Sequence, residues 1–403
     1  MSKRGGGIRI SAHGRARKGH GTMAKKIGFI GYGLRSRTMM KAFGAIEAEI
    51  EVAAVCDPRA EQIRNETADD VRFTHTQYVE SAEALLRLGG LDGVFVGTRC
   101  SLHTPFAKRV LESGIPLYLE KPVCINEEQY ETLRAAAEGR TDRAVVSFPL
   151  RVSPLVREMK RIVDSGLLGK LTMVQTVNNV PYGSVYYHSW YRDPKETGGL
   201  FLQKATHDVD YIAYLTGEVP ASAFARTAKL HYKGNKPAGL HCPDCGEYQT
   251  CRESSYVVKH ILKEEVTGDA CCFAVDTGNE DCASAIFTLP SGAIVSYNQN
   301  FVVKKSAARR GCRLIGTDAS VEFDFYTGEI REDRYDMPQT VNHVFQSGAH
   351  SHFGGDEALA LEFLGLMDGK KPESDLRAGL NSAAVCLAAK RSSEAGNLEQ
   401  VRL

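Results

Sequence analysis

The sequence predicts an α/β chain in two parts: a doubly wound parallel sheet over residues 24–149, then a second α/β domain over 150–403 with a large, mostly antiparallel open sheet. Three observations carry this. Short apolar runs alternate with helix-patterned segments up to about residue 149, as in a parallel sheet with crossover helices. The run 26–30 enters Gly31-Tyr32-Gly33-Leu34-Arg35-Ser36 and then a helix-like stretch through Phe43. Beyond about residue 150 the runs lengthen and are joined by the hairpin turns Pro290-Ser291-Gly292 and Gly316-Thr317-Asp318.

The first turn has the layout of a dinucleotide fingerprint: strand, glycines, helix. Gly31 makes the tight turn, and Gly33 lets the backbone approach a pyrophosphate at the helix start, where Leu34 and Arg35 follow. Ser36 replaces the third glycine and is small enough for helix–strand packing. The next run, 51–56, ends at Asp57, about where an acidic residue takes the ribose hydroxyls of NAD. Arg59 beside it suits a 2′-phosphate, which leaves NADP open.

Further strands are expected at 71–73 and 91–98, with helices at 81–88 and 104–113. Thr98 and His103 fall in the loop that would pass the cofactor. The apolar run 115–118 leads into Leu119-Glu120-Lys121-Pro122. Pro122 stops the strand, so Lys121 stands at its carboxyl end, where ligands lie in doubly wound sheets. Glu120 supplies a carboxylate beside it. A lysine in a partly dry cleft trades protons near neutral pH. The same tripeptide on a surface would be only a solvated strand end. A helix at 127–138 and a strand at 144–148 complete the first part.

The second part opens with an amphipathic helix at 155–165 and strands at 171–178, 282–289, 293–301, 312–316 and 319–325. Helices follow at 356–367 and 376–395, the last expected to pack back on the first domain. After Gly198-Gly199 a helical stretch holds Gln203, Lys204, His207, Asp208 and Tyr211; Gln203, His207 and Tyr211 recur every four residues and share a face. That face is either a solvated side or the second half of a site, with His207 exchanging protons beside Lys121.

These motifs, in this order from about Lys25 to Ala395, resemble the Gfo/Idh/MocA oxidoreductases. The resemblance implies a Rossmann domain and a second domain whose open sheet mediates homo-oligomers. It also implies NAD(H) or NADP(H), and hydride transfer at hydroxyl or keto carbons of sugars, glycosides and cyclitols. Carried over, Lys121 matches the family's catalytic lysine, His207 its histidine, and Arg151 a recurrent arginine at the start of the second domain. The chain departs from the family at Gln203, where an aspartate is common. Gln cannot exchange protons, so Lys204 or Tyr187 would take over part of that role. Some relatives use transient oxidation by held NAD to cleave glycosides, which gives an NAD-dependent glycosidase as the alternative. A non-catalytic nucleotide sensor has no need of a Lys121–His207 pair.

Tyr182, Tyr186, Tyr187, His188, Trp190 and Arg192 cluster before Gly198, and aromatic faces with polar tips suit a sugar ring. His350 and His352 are further substrate-side candidates. Within an insertion at about 235–275, Cys242, Cys245 and Cys251 have the spacing C-x2-C-x5-C. His241, His260, Cys271 and Cys272 are near in sequence, so a structural zinc is expected, an iron–sulfur cluster being the other thiolate option.

Composition narrows the rest. The chain has 403 residues, a formal net charge of +1 and eleven cysteines. That charge indicates neither nucleic acid nor an anionic membrane, and no apolar run approaches the roughly 18 residues of a span. Residues 1–23 are basic and glycine-rich without an apolar core, and read as a disordered extension or an upstream start. A reducing, cytoplasmic setting is the expectation, with thiols free or metal-bound.

Overall fold

The structure, a computed structural model, describes residues 24–345 and 351–403. The basic extension 1–23 and His350 lie outside the described residues.

The first sheet holds β1 (Lys25–Ile30), β2 (Ile50–Cys56), β3 (Gln77–Tyr78), β4 (Gly93–Val96), β5 (Leu117–Leu119) and β6 (Ala144–Val146). Their order is β3-β2-β1-β4-β5-β6, and every neighbouring pair is parallel. β4, β5 and β6 are buried throughout, as expected of strands covered on both faces. On one face the helices Leu34–Ala45 and Gly355–Met367 pack together, placing Phe43, Leu359 and Phe363 against Phe29, Phe95 and Tyr118. The strand order reverses between β1 and β4, so the crevice beyond their carboxyl ends lies at Gly31 and Gly97.

One expected strand is not there. Val71–Phe73 is a 3-10 turn, and the third strand is Gln77–Tyr78. The Asp70 carboxylate accepts from Arg72 N and caps that turn, while Val71 points to solvent and only Phe73 is buried.

The second sheet holds β7 (Leu171–Asn179), β8 (Ser222–Ala228), β9 (Cys282–Thr288), β10 (Ile294–Asn300), β11 (Arg309–Gly316), β12 (Ala319–Asp324), β13 (Glu329–Arg334), β14 (Thr340–Val344) and β15 (Glu399–Gln400). Their order is β14-β13-β12-β11-β7-β10-β9-β8-β15. Only the β7–β10 pair is parallel. Burial alternates along β8, β9 and β10, so one face carries the core and the other is open. Phe224, Ile286 and Ile294 are exposed there.

Leu376–Ala395 lies on β8 and on the helix Thr206–Thr216, and also reaches β6 and the helix Glu127–Ala136. Just before it, at the edge of β6, Val146 N donates to Ser374 O at 2.7 Å and Ser374 Oγ donates back to Val146 O at 2.8 Å. The last helix is thus tied to β6 by main chain as well as by packing.

Candidate active site

The glycine turn separates two kinds of glycine. Gly31 has φ +81°, and an added Cβ would come within 2.8 Å of Thr98 and 2.9 Å of the Gly97 carbonyl, so the fold itself requires glycine. Gly33 has an ordinary φ of −88° and an added Cβ would meet only Gly97 O, at 3.8 Å. Nothing inside the protein demands glycine there. It begins a helix with no side-chain cap and no acidic residue in its first turn. An uncapped, side-chain-free helix start fits a pyrophosphate. Leu34, the next residue, is left exposed.

Asp57 stands at the end of β2. Its Oδ2 accepts from Tyr32 N at 2.8 Å, and its Oδ1 accepts from Arg59 N at 2.8 Å and Arg59 Nε at 3.1 Å. Against the cost of burial, Arg59 and these amides hold its pKa below the usual carboxylate range. A ribose would meet this Asp57–Arg59 pair, not a bare carboxylate. Thr98 packs its methyl against Gly31. His103 is not turned towards a cofactor. It is buried, with Nδ1 2.7 Å from Pro122 O and Nε2 3.2 Å from Thr98 O, and braces the two loops against each other.

Lys121 follows β5 and donates from Nζ to Gln203 O at 2.8 Å, which joins the two domains at the site. Burial pulls its pKa down to about 8, with Arg35 and Arg310 acting in the same direction against Cys100 and Glu120. Glu120 does not touch Lys121 directly. It accepts from Arg35 Nε at 3.0 Å, and Arg35 Nη2 also donates to Asp356 at 2.7 Å. Asp356 in turn lies 2.8 Å from His352 Nδ1. Arg35, expected at the cofactor, is the hub that ties the glycine-turn helix to the C-terminal segment.

The helix carrying His207 does not start as an α-helix. Phe201–Ala205 is one wide π-turn, and Thr206–Thr216 continues as α-helix. The regular four-residue face read from the sequence therefore fails before residue 206. Such wide turns recur at functional sites. Gln203, Lys204 and His207 are all buried, and among the described residues Gln203 Oε1 and His207 Nδ1 have no hydrogen-bond partner. Lys204 Nζ sits 4.3 Å above the Tyr182 ring. Burial, reinforced by Lys121 and Arg310, drives the His207 pKa well below the usual imidazole value. Burial does the same to Lys204, again helped by Arg310 and Lys121.

The floor of the site comes from the inner face of the second sheet. Asn178 on β7 pairs in register with Arg310 on β11 and Gln299 on β10. Asp208 gathers two of these and Tyr297: Arg310 Nε donates at 2.9 Å and Tyr297 Oη at 3.0 Å, and Asn178 Nδ2 donates as well. Sequence reading missed this network. The signal was present as polar residues at inward positions, Thr176 and Asn178 on β7 and Arg310 on β11. The strand expected at 312–316 began too late to include Arg310.

Four expected residues serve the framework instead. Arg151 forks onto Asp210, Nε at 3.0 Å and Nη2 at 2.6 Å, and its Nη1 donates to Glu373 O at 3.0 Å, so each of its three nitrogens is engaged within the protein. Tyr187 is fully buried, stacks on Tyr232 at 3.9 Å and donates to Glu280 O at 2.6 Å. Burial pushes that phenol far above its ordinary pKa, which removes it as a proton carrier. His188 faces Cys242 Sγ at 3.9 Å, and Arg192 is ion-paired with Asp276, so both anchor the cysteine-rich insertion. Tyr186 packs with Tyr182, Tyr191 and Phe301, and Trp190 stacks on Tyr191 beneath Arg99.

Cys242, Cys245 and Cys251 line one small cleft with Cys271, Cys272 and His188. Among the described residues, no group of three or more His, Cys, Asp or Glu side chains is arranged to hold a metal ion, and every cysteine is a free thiol. Burial raises the thiol pKa of Cys242, Cys251 and Cys272. The zinc read from the C-x2-C-x5-C spacing is not supported by this arrangement.

The family models decide the affiliation. Residues 25–148 match an oxidoreductase family described as an NAD-binding Rossmann fold, and residues 156–322 match the GFO/IDH/MocA C-terminal domain. The chain belongs to the Gfo/Idh/MocA oxidoreductase family. A Bacillus subtilis (strain 168) protein named as an oxidoreductase, YteT, is 25% identical over 396 residues, covering 88% of this chain and 89% of that one. Inositol 2-dehydrogenase of Rhizobium meliloti (strain 1021) is 24% identical over 219 residues, 54% of this chain and 62% of the relative. Two solved structures share the fold. An oxidoreductase domain protein from Kribbella flavida has a TM-score of 0.77 at 17% identity, covering 95% of this chain and 100% of that one. Levoglucosan dehydrogenase, solved with NADH and levoglucosan, has a TM-score of 0.74 at 16% identity, covering 94% and 100%.

Proposed function

We propose that this Gfo/Idh/MocA protein transfers hydride between a nicotinamide dinucleotide and a hydroxyl or keto carbon of a sugar, glycoside or cyclitol. The observation that carries the reading is Lys121, held at the domain seam with a pKa of about 8 beside a deeply buried His207. The bound dinucleotide supplies the hydride chemistry. Gly33 and the helix start after it hold the pyrophosphate, and Asp57 with Arg59 meets the ribose. In the oxidation direction, neutral Lys121 takes the hydroxyl proton. His207, neutral at physiological pH, holds the same oxygen through a ring nitrogen. Gln203 positions Lys121 through its main-chain carbonyl and carries no proton. Lys204 faces the same space.

Asp57 favours NAD(H) and Arg59 tolerates a 2′-phosphate, so the reading includes NAD(H) first. The glycosidase alternative has no specific support, because the named relatives are oxidoreductases and dehydrogenases. The open outer face with Phe224, Ile286 and Ile294 suits self-association into a homo-oligomer.

The test is NADH absorbance on incubating the protein with NAD and a panel of free sugars, cyclitols and aryl glycosides. NADH accumulating with a free sugar or cyclitol is the expected result. Aglycone release without net NADH would replace it with the glycosidase.

A further inference from the structure

The polar groups around the site leave one basic side chain without a partner. Arg35, Lys121, Lys204 and Arg310 meet three carboxylates, Glu120, Asp208 and Asp356, and each carboxylate is already engaged. Glu120 is held by Arg35. Asp356 is held by Arg35 and His352. Asp208 is held by Arg310, Asn178 and Tyr297. Lys121 is the proton carrier. Lys204 remains, 4% exposed, over the Tyr182 ring, and among the described residues it makes neither ion pair nor hydrogen bond. Next to it Gln203, also buried, has Oε1 without a partner. An oxidised nicotinamide ring would add a further positive charge. Burial drives the unpaired Lys204 amine towards its neutral form, and an anion beside it would restore and hold the ammonium.

We propose that a carboxylate of the substrate supplies the missing partner: the pocket takes an acidic sugar such as a uronate or aldonate, its carboxylate on Lys204 and its ring edge near Tyr182. The single ammonium restored at Lys204 balances a monoanion, which favours a carboxylate over a phosphate dianion. Gln203 supports this. A carboxylate at that position would neutralise Lys204 and repel the substrate, whereas an amide does neither. The inference rests on the oxidoreductase reading and deepens it by naming the substrate class.

The experiment compares matched pairs on the full-length protein: glucose with glucuronate, and galactose with galacturonate, at equal ionic strength. NADH binding is first measured by fluorescence titration. The expected result is kcat/KM at least about tenfold higher for the uronate of a pair, carried by KM. In Lys204→Met that ratio falls towards one. Equal or better turnover of the neutral sugars would overturn the inference and leave the dehydrogenase intact. If no pair member turns over, the melting temperature of NADH-loaded protein decides. A rise with uronate alone supports the proposal, and an equal response or none overturns it. Failure to bind NADH would overturn the oxidoreductase reading and the inference together.

Discussion

The two halves of the site are built by different rules. The first half stands in loops after the parallel strands, where Gly31, Gly33, Asp57 and Lys121 each follow the carboxyl end of a strand. Those residues are local to their motifs. The second half is a layer of the antiparallel sheet, where Asn178, Gln299 and Arg310 become neighbours only through register. A motif half has positions the fold does not need and a ligand does, such as Gly33. A register half has charges the fold must pair before any ligand arrives, such as Arg310 on Asp208. At positions such as Gly33 the first half should therefore break in function with the fold intact, and the second should break in stability.

The largest expected effect is on Lys121. Lys121→Met should lower kcat by about 10²–10⁴-fold while NADH still binds. It should also raise stability at neutral pH. The lysine's folded pKa, about 8, lies below its unfolded value. Its charged form thus costs stability below pH 8, and the cost fades as pH rises towards the unfolded value. Melting temperatures of the variant and wild type at pH 7 and above pH 10 check the sign. An unchanged kcat would remove Lys121 from the chemistry.

Next comes the register half. Arg310→Met leaves Asp208 buried with an unpaired charge, and should cost about 3–5 kcal/mol in denaturant unfolding. A cost below 1 kcal/mol would mean that the network is not structural. Gly33→Ala is the mildest. Its Cβ finds no close neighbour, so the melting temperature should hold while NADH affinity weakens about tenfold or more. Gly31→Ala should instead unfold the turn, because that residue sits at φ +81°. Identical behaviour of the two variants would erase the distinction between them.

The same contrast explains what could be read from the chain alone. The alternation, the glycine turn, the strand end at Asp57 and the position of Lys121 are short-range patterns, and they survive without knowledge of register. His207 was legible as chemistry but not as geometry, because the π-turn at Phe201–Ala205 breaks the four-residue spacing. Arg151, Tyr187, His188 and Arg192 are the instructive misses. Polar residues near a motif look functional until their buried partners, Asp210, the Glu280 carbonyl, the Cys242 thiol and Asp276, are seen. The cysteine spacing did bring its thiols to one cleft, but spacing alone does not set the geometry that holds a metal.

The most direct test of the account is the pH dependence of kcat/KM for substrate oxidation. His207 is driven well below neutral by its surroundings, so it contributes no step at higher pH. The account predicts a single rise through about pH 8 in the wild type, as Lys121 loses its proton, and loss of that rise in Lys121→Met. A flat wild-type profile between about pH 7 and 9, or the same rise in the variant, would contradict the assignment of Lys121 as the base.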